Sequence, residues 1–271
     1  AGQNKVELLK NESTIILSKW NDEARLGFKY KGLAPNTEGS RSLLTSRIEW
    51  KDARQELHAY PLEKDGQMED GGFEIEIVLS EKPATNVFEF QIDGSENLDF
   101  FYQPELIQAE IDEGIERPEN VVGSYAVYHK IKRDHIKGNT NYATGKIFHI
   151  FRPKVIDANG VEQWAEISYK DGILSILVSQ LFLDTAIYPV RIDPTVGYTT
   201  CGATNGSTIA AATSDTSTTI GQGRNLGEAG TLDSISICLI TAGTQNVDLF
   251  YALYREDTVA DSHPLVASTE S

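Results

Sequence analysis

Asn86-Val87-Phe88-Glu89-Phe90-Gln91-Ile92-Asp93, closed by Gly94, is the stretch from which the fold is read most directly. Apolar and polar side chains alternate through it. A period of two is the pattern of a strand with one face on a core and the other on solvent. Val87, Phe88 or Phe90, and Ile92 compete for the core side. The same texture recurs in Thr14-Ile15-Ile16-Leu17-Ser18-Lys19-Trp20, Arg25-Leu26-Gly27-Phe28-Lys29-Tyr30 and Phe73-Glu74-Ile75-Glu76-Ile77-Val78-Leu79. Turn chemistry separates the runs at Asp65-Gly66, Asp70-Gly71-Gly72, Asp93-Gly94, Asn159-Gly160 and Asp171-Gly172.

Further along, Asn159-Gly160 joins 147–156 to 161–169, and Asp171-Gly172 leads into 173–178, a spacing that predicts a β-meander. Helical pattern is scarce: Glu105 to Ile111 offers two turns at most, ended by Gly114. Strands do not alternate with helices of 10–15 residues, which argues against a Rossmann fold or a TIM barrel.

The chain has 271 residues, long enough for two domains or one large β architecture. Its 24 basic groups against 40 acidic ones give a net charge of -16, which disfavours nucleic acid and anionic membranes as partners. The densest basic run, His129 to Lys137, is interrupted by Asp134 and reads as a solvated strand face. The longest apolar-rich run, Ile173 to Leu183, is broken by Ser175, Ser179 and Gln180, so no membrane insertion is expected. The first residues, Ala1 to Lys5, hold no apolar signal core, and cytosolic synthesis is the expectation.

Composition breaks near residue 195. Beyond it only Arg224 and Arg255 are basic, and between Tyr198 and Ile220 11 of 23 residues are Ser or Thr. The expected organisation is a large β region over 1–195, with a break near 105–120 that would divide it into two subdomains. A smaller Ser/Thr/Gly-rich β domain follows over 196–271, with strands at 232–240 and 247–254. No closing apolar strand is read after Asp261, so that domain would continue past Ser271 or be completed by a partner.

The chemistry-bearing motifs are missing: no H-E-x-x-H, no G-x-x-x-x-G-K-[ST] and no G-x-S-x-G. Gly221-Gln222-Gly223-Arg224-Asn225-Leu226-Gly227 misplaces its third glycine for a dinucleotide fingerprint and reads as a Gly-rich turn. Of the histidines (His58, His129, His135, His149, His263), His129 and His135 would sit about 20 Å apart on one strand, too far for a shared metal. All five read as structural. Glu74 and Glu76 share a strand face at about 7 Å, which formally suits a glycosidase pair, but the face reads as the wet side of the sheet. Asp157 with Asn159, and Glu69 with Asp70, are oxygen-rich turns weakly suited to calcium; neither completes a calcium loop. Cys201 and Cys238 are either free core thiols or a single bridge. Trp20, Trp50 and Trp164 are the aromatic residues that could stack on sugar rings if exposed, against a core role for each. No catalytic residue, cofactor or metal is assigned.

One long segment is distinctive: Gly172-Ile173-Leu174-Ser175-Ile176-Leu177-Val178, then Phe182-Leu183-Asp184-Thr185-Ala186-Ile187-Tyr188-Pro189-Val190-Arg191-Ile192-Asp193-Pro194-Thr195. It resembles the closing segment of a β module in structural proteins of tailed bacteriophages and in some large bacterial surface and repeat-containing proteins. Tyr102-Gln103-Pro104, Arg117 to Tyr128 and Phe148-His149-Ile150-Phe151-Arg152-Pro153 extend the likeness over 72–198. Physically, Pro189 suits an edge strand or a strand start and Asp193-Pro194 a strand end, while Tyr188, Val190 and Ile192 would seal a sandwich core.

The resemblance implies an all-β protein of tandem β-sandwich domains, immunoglobulin-like or jelly-roll in type, with very little helix. It implies a non-enzymatic virion structural protein: a capsid decoration protein, head fibre or tail-associated subunit assembled in a host cytoplasm. Its partners would be other virion proteins, further copies of itself as a homo-oligomer, and host-surface glycans. The alternative is a carbohydrate-binding or adhesive module of a bacterial surface protein, placed at the cell surface.

Overall fold

The structure is a computed structural model that describes residues 4–42, 47–62, 71–112, 116–132, 136–137, 140–142, 145–197, 252–254 and 265–268. In chain order the first strands are β1 (Lys5–Leu9), β2 (Thr14–Lys19), β3 (Ala24–Tyr30), β4 (Gly39–Arg41), β5 (Ile48–Lys51) and β6 (Gln55–Leu62). There follow β7 (Gly72–Leu79), β8 (Val87–Asp93), β9 (Leu98–Gln103), the short helix α1 (Gln108–Asp112), β10 (Ser124–His129), β11 (Ile136–Lys137) and β12 (Thr140–Asn141). Then come β13 (Lys146–Ile150), β14 (Lys154–Ile156), β15 (Glu162–Trp164), β16 (Glu166–Lys170) and β17 (Ile173–Leu177). Helix α2 (Gln180–Thr185), β18 (Val190–Asp193), β19 (Thr195–Gly197), β20 (Ala252–Tyr254) and β21 (Leu265–Ser268) complete the order. Two compact units divide the chain, Ala1–Ser207 and Thr208–Ser271.

In the first unit a six-stranded antiparallel sheet runs β1-β2-β3-β8-β17-β16. The opening stretch is its fourth strand, and the structure settles which side faces in: Phe88, Phe90 and Ile92 are buried while Val87 is exposed. Asp171 and Gly172 both take positive φ, the conformation of a type I′ hairpin, and join β16 to β17 as the Asp-Gly pair predicts. An eleven-stranded sheet carries the rest, with β15-β14-β18-β7-β19-β13-β10-β9 as its path and β4-β5-β6 added on the other edge of β7. Inward residues of both sheets form one buried cluster: Leu17, Phe28, Phe90 and Ile176 from the smaller, Trp50, Leu57, Ile77, Phe148 and Ile192 from the larger. The two sheets thus enclose a common core, as in a sandwich. That cluster takes residues from both sides of 105–120.

The seam of the larger sheet is the segment that carries the resemblance. β18 pairs with 77–79 of β7, and β19 pairs with 72–74 of the same edge. Between them Pro194, which has no N–H to give, still accepts from Ile75 N–H at 3.2 Å, so the ladder runs through the junction. Past the seam the strands part company, β18 to β14 and β19 to β13. Val190 and Ile192 are fully buried, and Tyr188 packs on the core from its margin.

Two continuous strands expected from the sequence are broken. The run 147–156 divides at Phe151-Arg152-Pro153, where proline interrupts the ladder. The run 161–169 divides at Ala165: β15 belongs to the larger sheet and β16 to the smaller, with buried Ala165 as the corner and its N–H on the Pro153 carbonyl at 2.9 Å. In the second unit β20 pairs antiparallel with β21. A strand at Leu265–Ser268 corrects the expectation that no closing apolar strand follows Asp261. The predicted strand at 232–240, Cys201, Cys238 and the glycine-rich turn at 221–227 lie outside the described residues.

Candidate functional site

Strand register alone assembles a row of polar groups on the outer face of the larger sheet. Glu49 lies opposite His58, and His58 opposite Glu76. Asp193 follows the Ile192–Ile77 pair by one residue and so falls beside Glu76, then Lys154 lies opposite Asp193 and Trp164 opposite Lys154. Because side chains on one face recur every second residue, flanking rows share the surface. One contains Lys51, Glu56 and Arg191; the other joins Tyr60, Glu74 and Thr195.

This overturns the reading of Glu74 and Glu76 as the wet side of a strand. They do share a face, but they are only 7% and 2% exposed. The face is covered because β7 is central in the sheet and long side chains from both neighbours lie over it. His58 Nδ1 meets Glu76 Oε2 at 2.6 Å, and its Nε2 meets Glu56 Oε2 at 2.8 Å. Arg191 donates to Glu76 Oε1 at 2.7 Å, and Thr195 donates its hydroxyl to Glu74 Oε2 at 2.8 Å. Lys51 pairs with Glu56, and Arg47 with Glu49 at 2.5 Å.

Placement sorts the carboxyls by charge. Burial would raise Glu76, but the hydrogen bond from His58 and the charge of Arg191 outweigh it and hold the group below the usual range. Burial pushes Glu74 up to about 8, against the hydroxyl of Thr195 and with help from the charges of Asp193 and Glu76. Burial and the Glu76 charge push Asp193 up to about 6. Glu74 Oε1 and Asp193 Oδ1 are buried without a hydrogen-bond partner among the described residues, which favours the protonated form of each. Tyr60, half-buried beside these acids, is pushed up to about 12 by burial and their charge. His58 is raised, since Glu76 and Glu56 together outweigh its burial. Chemically the row can hold protons on its acids and present imidazole and carboxylate together. Glu49, Glu56 and His58 have ligand atoms within 4.8 Å of one another, the arrangement among the described residues that suits a cation.

The sites read from the sequence are scattered by comparison. Asp157 Oδ1 accepts the N–H groups of Asn159 and Val161 at 2.9 Å each, and Oδ2 accepts Ile187 N–H at 3.1 Å. Those bonds hold its carboxyl below the usual range and make it the brace of the β14–β15 turn. Glu69 and Asp70 lie outside the described residues. Trp20 is buried edge-on against Tyr142 at 4.9 Å. Trp50 is fully buried and donates Nε1–H to the Lys10 carbonyl at 2.7 Å. Trp164 is half-buried, with Lys154 5.1 Å and Arg152 5.7 Å from its ring centre. His129 is buried and accepts two backbone N–H groups, while His135 is outside the described residues.

His149 contacts buried Ser124 at 2.7 Å, which superficially suggests an activated nucleophile. Ser124 gives its proton to the Val121 carbonyl at 2.5 Å, so the imidazole donates to the hydroxyl, the reverse of what nucleophile activation needs. Burial and the charge of Lys146 push His149 down to about 3, and it stays neutral. Sequence reading passed over Glu49, Glu56 and His58 as a group. Their signal is polar residues at period two inside apolar strands, and it acquires meaning only with the register.

No known family model, curated protein sequence or solved structure matches the chain.

Proposed function

We propose that the chain is a non-enzymatic structural protein of a tailed-phage virion, acting as a capsid decoration protein, head fibre or tail-associated subunit. What supports this reading is the place of the residues that carry the resemblance: Val190 to Thr195 form the seam on which β7, β13 and β14 converge. The likeness therefore falls on residues that make the module. Its partners are other virion subunits and further copies of itself. Peptide mass spectrometry of particles purified from the strain that encodes it should find the chain in stoichiometric amount, and cryo-EM should show it on the particle surface. Its absence from purified particles overturns the proposal.

Sugar adhesion at a bacterial surface is the second reading. Trp164 carries it, since Trp20 and Trp50 are buried. A glycan array on which Trp164→Ala and the natural chain score alike removes it.

A further inference from the structure

The geometry points to a divalent metal site of the zinc class on the β5–β6 hairpin, formed by Nε2 of His58 and one carboxylate oxygen each from Glu56 and Glu49. Backbone geometry alone puts the three together. Glu56 and His58 are two apart on one strand and share a face, and Glu49 is the cross-strand partner of His58. Their ligand atoms lie within 4.8 Å of one another. Tetrahedral zinc with bonds near 2.0–2.1 Å spaces its ligands about 3.3 Å apart, so modest side-chain rotation closes the set.

A second observation comes from the other ring nitrogen. His58 Nδ1 is 2.6 Å from Glu76, a buried carboxylate that Arg191 holds in place. A carboxylate has only lone pairs to offer, so Nδ1 carries the proton and donates it. Nε2 is turned toward Glu56 Oε2 at 2.8 Å, a contact that a second ring proton bridges in the imidazolium. A metal ion that displaces this proton takes both atoms as ligands and gains the Glu49 carboxylate as a third. A metal-bound imidazole typically donates its other N–H to a carboxylate, the role Glu76 fills here.

The donor set also selects the ion. One imidazole nitrogen with two carboxylates suits zinc and its transition-metal neighbours, whereas calcium and magnesium prefer oxygen alone. Lys51 and Arg47 engage Oε1 of Glu56 and of Glu49, while Oε2 of Glu56 is turned to the histidine. The side chains of Glu49 and Glu56 are 24% and 17% exposed, so the site opens to solvent on their side and a water completes the coordination.

Isothermal titration of tag-free, EDTA-treated full-length chain with zinc chloride at pH 7.5 tests this. The expected result is one equivalent bound, with calcium and magnesium silent. His58→Gln should weaken binding at least tenfold, and Glu49→Gln, a half-exposed change that spares the core, should do so with an unchanged near-ultraviolet circular dichroism spectrum. Glu76→Gln should keep the stoichiometry and lose about 10–100-fold in affinity. Cobalt substitution should give visible bands of a four-coordinate nitrogen–oxygen site that vanish in His58→Gln. No stoichiometric binding by the natural chain overturns the site and leaves a doubly hydrogen-bonded imidazolium; equal binding by His58→Gln and Glu49→Gln overturns it as well.

Discussion

Gly39 lies opposite Trp50, and a Cβ placed on it would come 2.6 Å from the indole Nε1. Gly39 N–H and Trp50 Nε1–H both donate to the Lys10 carbonyl at 2.7 Å, so the ring has little room to retreat. Gly39→Ala should therefore cost about 1–3 kcal/mol in urea denaturation, the size of an overpacked core, and an unchanged midpoint would refute the account. Glu74 makes a different prediction, one of pH. Its folded-state value is raised from 4.5 to about 8, so the native state binds the extra proton between those limits. Its contribution is fully present below pH 4.5 and is lost as pH rises through 8. Glu74→Gln cannot ionise, so its stability relative to the natural chain should rise by about 1–3 kcal/mol from pH 5 to pH 9. A difference that stays constant with pH would show that the carboxyl is already ionised at the lower end.

At the scale of elements, the strands were legible where alternation was strict and a turn pair was intact. The stretch from Asn86 to Asp93 and the Asp171-Gly172 hairpin are the plainest cases. Legibility failed where one run serves two sheets. Nothing local in 161–169 marks Ala165 as a corner, because both halves are strand-like and only the packing partner changes. It failed again at Glu74 and Glu76, since alternation tells which residues share a face but not whether a second layer of side chains covers it. The polar row across six strands joins residues up to 144 positions apart (Glu49 to Asp193), a separation that no window of sequence spans. The seam yields its own prediction: Ile192→Ala removes a fully buried side chain where β7, β18 and β14 meet and should cost about 2–5 kcal/mol. A loss below 1 kcal/mol in equilibrium unfolding would mean that β18 is not integral to the core.

At the scale of the molecule, the net charge of -16 divides between the two units. Residues 1–207 hold 22 basic against 32 acidic groups, and residues 208–271 hold two against eight. The first unit has its own core and both large sheets, so a chain ending at Ser207 should unfold cooperatively. Its midpoint should fall within about 3 °C of the corresponding transition in the full chain, since 1 kcal/mol moves a unit of this size by about that much. Loss of the cooperative transition in differential scanning calorimetry would show that the first unit needs the second to fold. The edges of the first unit also differ in a way that matters under load. Among the described residues β1 pairs with β2 alone, so tension entering at Lys5 peels one ladder pair by pair. β19 lies between β7 and β13, so tension entering at Gly197 must break two ladders together. Pulled from both ends, the unit would yield first at its β1 side, shedding that strand as a short compliant tether while the seam stays closed.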